Sequence, residues 1–173
     1  VVVNLAILAL GSNLGDREHA LRAAVREISA LDRLVMVAAS GIVETAAVKP
    51  DGVDPDAPAY LNAVVAVRTS LAPLELLAAV NAIEAELGRV RGVRWGDRII
   101  DIDIISYADL EVDSPTLTIP HPRAAERSFV LTPWLQVDED AAIPGRGRVA
   151  DLLDALDAPA DYAPADYAAE PLL

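Results

Sequence analysis

The stretch from Gly88 to Asp103 reads GRVRGVRWGDRIIDID and gathers residue types that handle phosphate and metal. Arg89, Arg91, Arg94 and Arg98 stand there against a single acidic residue before Ile99, Asp97, in a chain of net charge −13. Guanidinium groups fork onto phosphate oxygens and stay charged at any relevant pH. In a strand, alternate residues share a face, so Asp101 and Asp103 point one way and Ile100, Ile102 and Ile104 the other. At strand rise their Cα atoms lie about 7 Å apart, close enough for the carboxylates to repel unless a cation joins them. Hard oxygen donors on a rigid strand suit Mg2+, whereas a chain with two His and no Cys has little from which to build a zinc site. The combination predicts a polyphosphate ligand with bound metal.

The elements that must hold these residues follow from periodicity. Asn4 to Leu10 is a short apolar run closed by Gly11, as in a central strand. Asp16 is placed to cap a helix whose Leu21, Ala24, Val25, Ile28 and Leu31 recur at spacings of three and four. Further strands are expected over Leu34 to Val43, Tyr60 to Thr69 and Ile99 to Tyr107. Glu44 to Ala59 forms a long connection rich in Pro and Asp, a length that often marks a lid or binding loop. Pro73 opens a second helix and Gly88 follows its end. Glu84 falls on or beside the apolar stripe of that helix, where a carboxylate is costly unless a cation or hydrogen-bond donor meets it. TIPHP at 118–122 is a rigid turn presenting His121, and Arg127 to Leu135 reads as a helix stopped or kinked by Pro133. Asp151 to Leu156 is a last short helix, and the tail from Pro159, with PADYA twice, is expected to be loosely ordered.

Composition narrows the class. A chain of 173 residues, 53% hydrophobic, suits one domain with a substantial core, expected over 1–158 and followed by the acidic tail at 159–173. The absence of Cys excludes disulfides and a cysteine nucleophile. The acidic balance argues against general nucleic-acid or anionic-membrane binding. The opening VVVNLAILAL lacks the basic lead of a signal peptide and is too short to span a bilayer, so a cytoplasmic protein is expected. Aromatic residues are few, and Tyr60, Trp95 and Phe129 each sit beside a polar stretch where a flat heterocycle could stack.

Four segments carry a resemblance: LGSNLGDR at 10–17, AYLNAVV at 59–65, GRVRGVRWGDRIIDIDI at 88–104 and IPHPRAAERSFVLTPW at 119–134. In order and spacing they resemble the 6-hydroxymethyl-7,8-dihydropterin pyrophosphokinases of folate biosynthesis. The resemblance implies an α/β (α+β) fold, a ferredoxin-like αβα sandwich with a mainly antiparallel four-stranded sheet and helices on both faces. It implies transfer of the pyrophosphoryl group of ATP to the hydroxymethyl oxygen of the pterin, releasing AMP; a monomer is expected. Asp101 and Asp103 would hold two Mg2+ ions, while Arg89 and Arg98 clamp the phosphates. Glu84, Arg91, Arg94, Trp95, Ile104, Thr118, His121 and Arg127 match positions around the nucleotide. Thr45, Val48, Tyr60, Asn62 and Phe129, with Trp95, match the pterin pocket, where Tyr60 and Phe129 stack on the ring and Asn62 reads its edge.

The chain departs from the family pattern after Glu44-Thr45, where Ala46 to Lys49 replace a Pro-containing turn, and at Asp97, where Pro is common. Asp97 is in position to tether Arg98. Two other classes compete at this point. A nucleotide-sensing ferredoxin-like domain would need the arginines but not the paired aspartates. A two-metal nucleotidyltransferase would attack the α-phosphorus and release pyrophosphate.

Overall fold

The computed structural model describes residues 1–49, 51–88, 99–156, 164–167 and 170–173, with Val48 and Lys49 described by backbone alone. Strand β1 (Asn4–Ser12) leads into helix α1 (Arg17–Ser29), whose start is fixed by Asp16: its carboxylate accepts from the His19 amide at 3.0 Å. The chain returns through β2 (Leu34–Ala39) and β3 (Val43–Thr45), then a hairpin of β4 (Ala47–Lys49) and β5 (Gly52–Asp54). Strand β6 (Tyr60–Thr69) precedes α2 (Pro73–Glu86) and β7 (Asp101–Tyr107). Beyond it come a short ladder of β8 (Val112–Asp113) and β9 (Thr118–Ile119), helix α3 (Ser128–Val137), a hairpin of β10 (Ala142–Ile143) and β11 (Gly147–Arg148), helix α4 (Val149–Asp154) and β12 (Ala165–Asp166).

The four long strands stand in the order β7-β1-β6-β2, all antiparallel, with α1 between β1 and β2 and α2 between β6 and β7. That is the expected ferredoxin-like βαββαβ arrangement, here widened to six strands because β3 pairs with β6 beyond β2, and β12 pairs with β3. The single strand expected over Leu34 to Val43 is split. At the break, the Ser40 amide donates to Val64 O and the Ser40 hydroxyl accepts from the Val64 amide, both at 2.9 Å. A side chain thus takes the place of a backbone carbonyl in the ladder, and the chain steps from β2 to β3 without leaving buried polar groups unpaired.

Helices cover both faces. Leu21, Val25 and Ile28 of α1 and Leu76, Val80 and Ile83 of α2 pack on Leu8, Leu10, Val65 and Ile102. On the opposite face, Val130, Leu131 and Trp134 of α3 and Val149 at the start of α4 pack on Ile7, Val64, Ala66 and Ile105. Each fully buried Leu or Ile contributes roughly 2 kcal/mol by the apolar area it removes from water. Pro133 does not stop α3, which runs four residues past it to Val137. Gly88 follows α2 with φ +91°, a left-handed conformation that favours glycine at a helix end. Among the described residues, no helix is long and apolar enough to cross a membrane.

Candidate active site

Register places the chemistry. Gly11 on β1 stands opposite Asn62 of β6 on one side and opposite Asp101 of β7 on the other. The next row on the same face runs Val64, Ala9 and Asp103. Small residues on the middle strand leave the floor open between the two aspartates and β6. With strands about 4.8 Å apart, Asn62 and Asp101 are separated across Gly11 by about 10 Å between Cα atoms. A Cβ on Gly11 would lie 3.1 Å from the Asn62 side-chain oxygen and 3.7 Å from the Tyr60 ring, so the position has room for glycine and little more.

The alternation expected of β7 is present: Ile100, Ile102 and Ile104 are buried among α1 and α2, while Asp101 and Asp103 are half-buried on the other face. Glu84, 3% exposed, obtains the donor that its burial requires. Its Oε1 accepts from the Ile102 amide at 2.6 Å, which joins α2 to the outer edge of β7.

On that edge the His121 amide donates to Ile105 O at 2.8 Å, docking the TIPHP turn beside the aspartates. His121 Nδ1 accepts from the Arg123 amide at 3.2 Å, so the ring proton resides on Nε2, which faces Asp103 Oδ2 at 3.7 Å. Burial, reinforced by the Arg127 cation and, more weakly, by Arg123, lowers the His121 pKa to about 4 against a partial offset from Asp101, and the ring is neutral at pH 7. Arg127 approaches the same Asp103 oxygen at 3.7 Å, and its guanidinium carbon lies 5.7 Å from the centroid of the Phe129 ring.

At the β6 end, the buried Asn62 side chain donates from Nδ2 to Thr45 Oγ1 at 2.9 Å. Both ends open into one cleft of about 830 Å3. It is lined by Thr45, Tyr60, Asn62, Glu84, Asp101, Asp103, Ile104, Thr118, His121, Arg127 and Phe129, so these expected residues converge although they span more than 80 positions. Val48 lies in β4 opposite Val53, described by backbone alone. Arg89, Arg91, Arg94, Trp95, Asp97 and Arg98 lie outside the described residues.

Sequence reasoning missed Leu77 and Asn81 of α2, the Ser114–Leu117 turn, Arg123 and Glu126, all of which line the cleft. The signal for Asn81 was present: it precedes Glu84 by three residues and so shares its helix face. The half-buried aspartate pair, beside open space over Ala9 and Gly11, offers hard oxygen donors of the kind that would hold a Mg2+ ion. Among the described residues, no group of three or more His, Cys, Asp or Glu is placed to hold a metal from protein atoms alone.

Comparison with known proteins identifies the family. A family model described as 7,8-dihydro-6-hydroxymethylpterin-pyrophosphokinase (HPPK) matches residues 7–139. The 2-amino-4-hydroxy-6-hydroxymethyldihydropteridine pyrophosphokinase of Bacillus subtilis is 43% identical over 134 residues, 78% of this chain and 78% of that protein. Its namesake from Haemophilus influenzae is 37% identical over 148 residues, 86% of this chain and 90% of that one. Among solved structures, an HPPK-DHPS in complex with substrates superposes with TM-score 0.70 at 12% identity, over 90% of this chain and 43% of the longer one. A Plasmodium falciparum HPPK-DHPS gives TM-score 0.67 at 14% identity, over 88% and 45%. At those identities the structural likeness speaks to the fold, and the sequence matches speak to the family. The chain belongs to the 7,8-dihydro-6-hydroxymethylpterin-pyrophosphokinase family.

Proposed function

We propose that this protein transfers the pyrophosphoryl group of ATP to the hydroxymethyl oxygen of 6-hydroxymethyl-7,8-dihydropterin, in folate biosynthesis, with Mg2+ bound at Asp101 and Asp103. The observation that supports the reading is the row Asn62, Gly11, Asp101, which has an amide and a carboxylate at opposite ends of one open floor, as a ring-reading group and a metal ligand would need to stand. In the reaction, the pterin hydroxyl oxygen bonds to the β-phosphorus and the bond from that phosphorus to the α,β-bridging oxygen breaks. AMP leaves with the bridging oxygen, and the hydroxyl proton is released.

The ring lies between Tyr60 and Phe129, with its edge toward Asn62. The bond from Asn62 Nδ2 to Thr45 orients the amide and leaves its carbonyl oxygen to accept from ring N–H groups. Arg127 grips phosphate from beside Asp103, and its position over Phe129 links the phosphate end to the ring end. His121, neutral with its proton on Nε2, donates to a phosphate oxygen without adding charge. Glu84 holds β7 against α2 through Ile102 and so fixes the height of both aspartates. When bound, two Mg2+ ions would neutralise phosphate charge and lower the pKa of the attacking hydroxyl, which removes the need for a strong protein base. Arg89 and Arg98 are assigned the phosphate clamp from the motif alone.

Incubation with Mg-ATP and the reduced hydroxymethylpterin tests the reading by nucleotide analysis. AMP in step with a pterin diphosphate is the expected result. Release of pyrophosphate would instead indicate attack at the α-phosphorus, and unchanged ATP a binding domain. Chelation with EDTA should stop turnover and added Mg2+ restore it.

A further inference from the structure

Beyond α4, and outside residues 7–139 that the family model matches, the chain returns to the main sheet. Ala165 and Asp166 pair antiparallel with Glu44 and Val43, and the Tyr167 amide donates to Ile42 O at 3.0 Å. Tyr167 and Leu172 pack against the core under α1 and α2. Arg22 of α1 clasps the same segment, donating to Pro171 O at 2.9 Å and to Glu170 O at 2.6 Å. The segment is therefore held at three places: a backbone ladder, an apolar contact and a charged clasp.

What it covers is the outer edge of β3, a strand of three residues. The inner edge of β3 pairs Thr45 with Tyr60 and Val43 with Asn62, and Thr45 Oγ1 accepts the Asn62 side chain. So short a strand, paired on one side only, is a weak platform for a residue that must orient another. We infer that the β12 segment is a positioning element for the pterin end of the cleft, keeping Thr45, and through it Asn62, in ring-reading geometry. The inference rests on the assignment of Asn62 and Thr45 to the pterin.

The ladder alternates, so the Glu44 amide points toward β12 while those of Val43 and Thr45 point toward β6. Ala165→Pro removes a donor from the added strand and leaves every cleft side chain in place. In the full chain it should speed hydrogen exchange at the Glu44 amide and raise KM for the pterin about fivefold, with kcat and KM for ATP nearly unchanged. Arg22→Ala, which loosens the clasp from α1, should act in the same direction more weakly, and it decides the question by the same criteria if Ala165→Pro does not fold. Unchanged Glu44 exchange, or faster exchange with unaltered pterin KM, overturns the inference. So does a parallel rise in both KM values with a lowered Tm, which would mark a merely structural role. Asn62→Ala, measured alongside, separates the two levels: if it leaves pterin KM unaltered, the pterin assignment itself falls. If it raises that KM and the two positioning variants do not, only the role of β12 is lost.

Discussion

At the Asn4 end of the sheet, polar groups are used up in tying elements together. The Tyr107 hydroxyl donates to Leu71 O at 2.6 Å and accepts from Asn4 at 3.2 Å, and the Thr69 hydroxyl donates to Arg33 O at 2.9 Å. Glu75 accepts from the Ala72 amide at 2.7 Å and from Arg33 at 3.3 Å. At the Ser12 end, the same three strands present Asn62, Gly11 and Asp101 to an open cleft, with Asn62 oriented by Thr45 and with His121 and Arg127 each 3.7 Å from Asp103. The backbone ladder is common to both ends. One end turns its polar side chains to tying elements together, and the other lines an open cleft with them.

If that division is right, substitutions at the two ends should move different observables. Asp103→Ala should lower kcat by about three orders of magnitude, the scale of lost metal-assisted charge stabilisation, while Tm stays the same or rises. A near-normal rate would remove the aspartate from the chemistry. Gly11→Ala should raise KM for the pterin about tenfold by displacing the Asn62 amide, with thermal unfolding little changed. An unaltered KM would mean that the floor tolerates a methyl group. At the other end, Tyr107→Phe should cost about 1–2 kcal/mol in denaturant unfolding, since it strands the Leu71 carbonyl, and leave kcat alone. A rate defect there would show that the ends are coupled.

The smallest effect concerns acid. The Ala72 amide and the Arg33 guanidinium hold the Glu75 pKa below its ordinary 4.5. Its contribution is present above that pH and is lost as pH falls through the lowered value. Glu75→Gln should therefore weaken the loss of stability below about pH 4.5, read from Tm against pH.

Legibility in the sequence followed how local the cause was. The opposed faces of Asp101 and Ile102, the cap at Asp16 and the Gly88 terminus depend on neighbours within a few positions, and periodicity displayed them. Glu84 was legible as a cost but not by its partner, because the Ile102 amide is free only where β7 is the edge of the sheet. The convergence of Asn62 and Asp101 depends on strand order, which composition does not encode, and motif resemblance supplied it. Ala165 to Tyr167 join β3 through backbone groups that every residue carries, so side-chain identity gave no warning.

The Asn62–Gly11–Asp101 row is also a ruler. Its span is two interstrand spacings, a length set by peptide hydrogen bonds and not by any side chain. On the proposed assignment of Asn62 to the ring and Asp101 to the phosphate end, an acceptor would be measured from the edge of its ring to its hydroxyl, and an alcohol on a longer arm would seat the ring and overshoot the phosphorus.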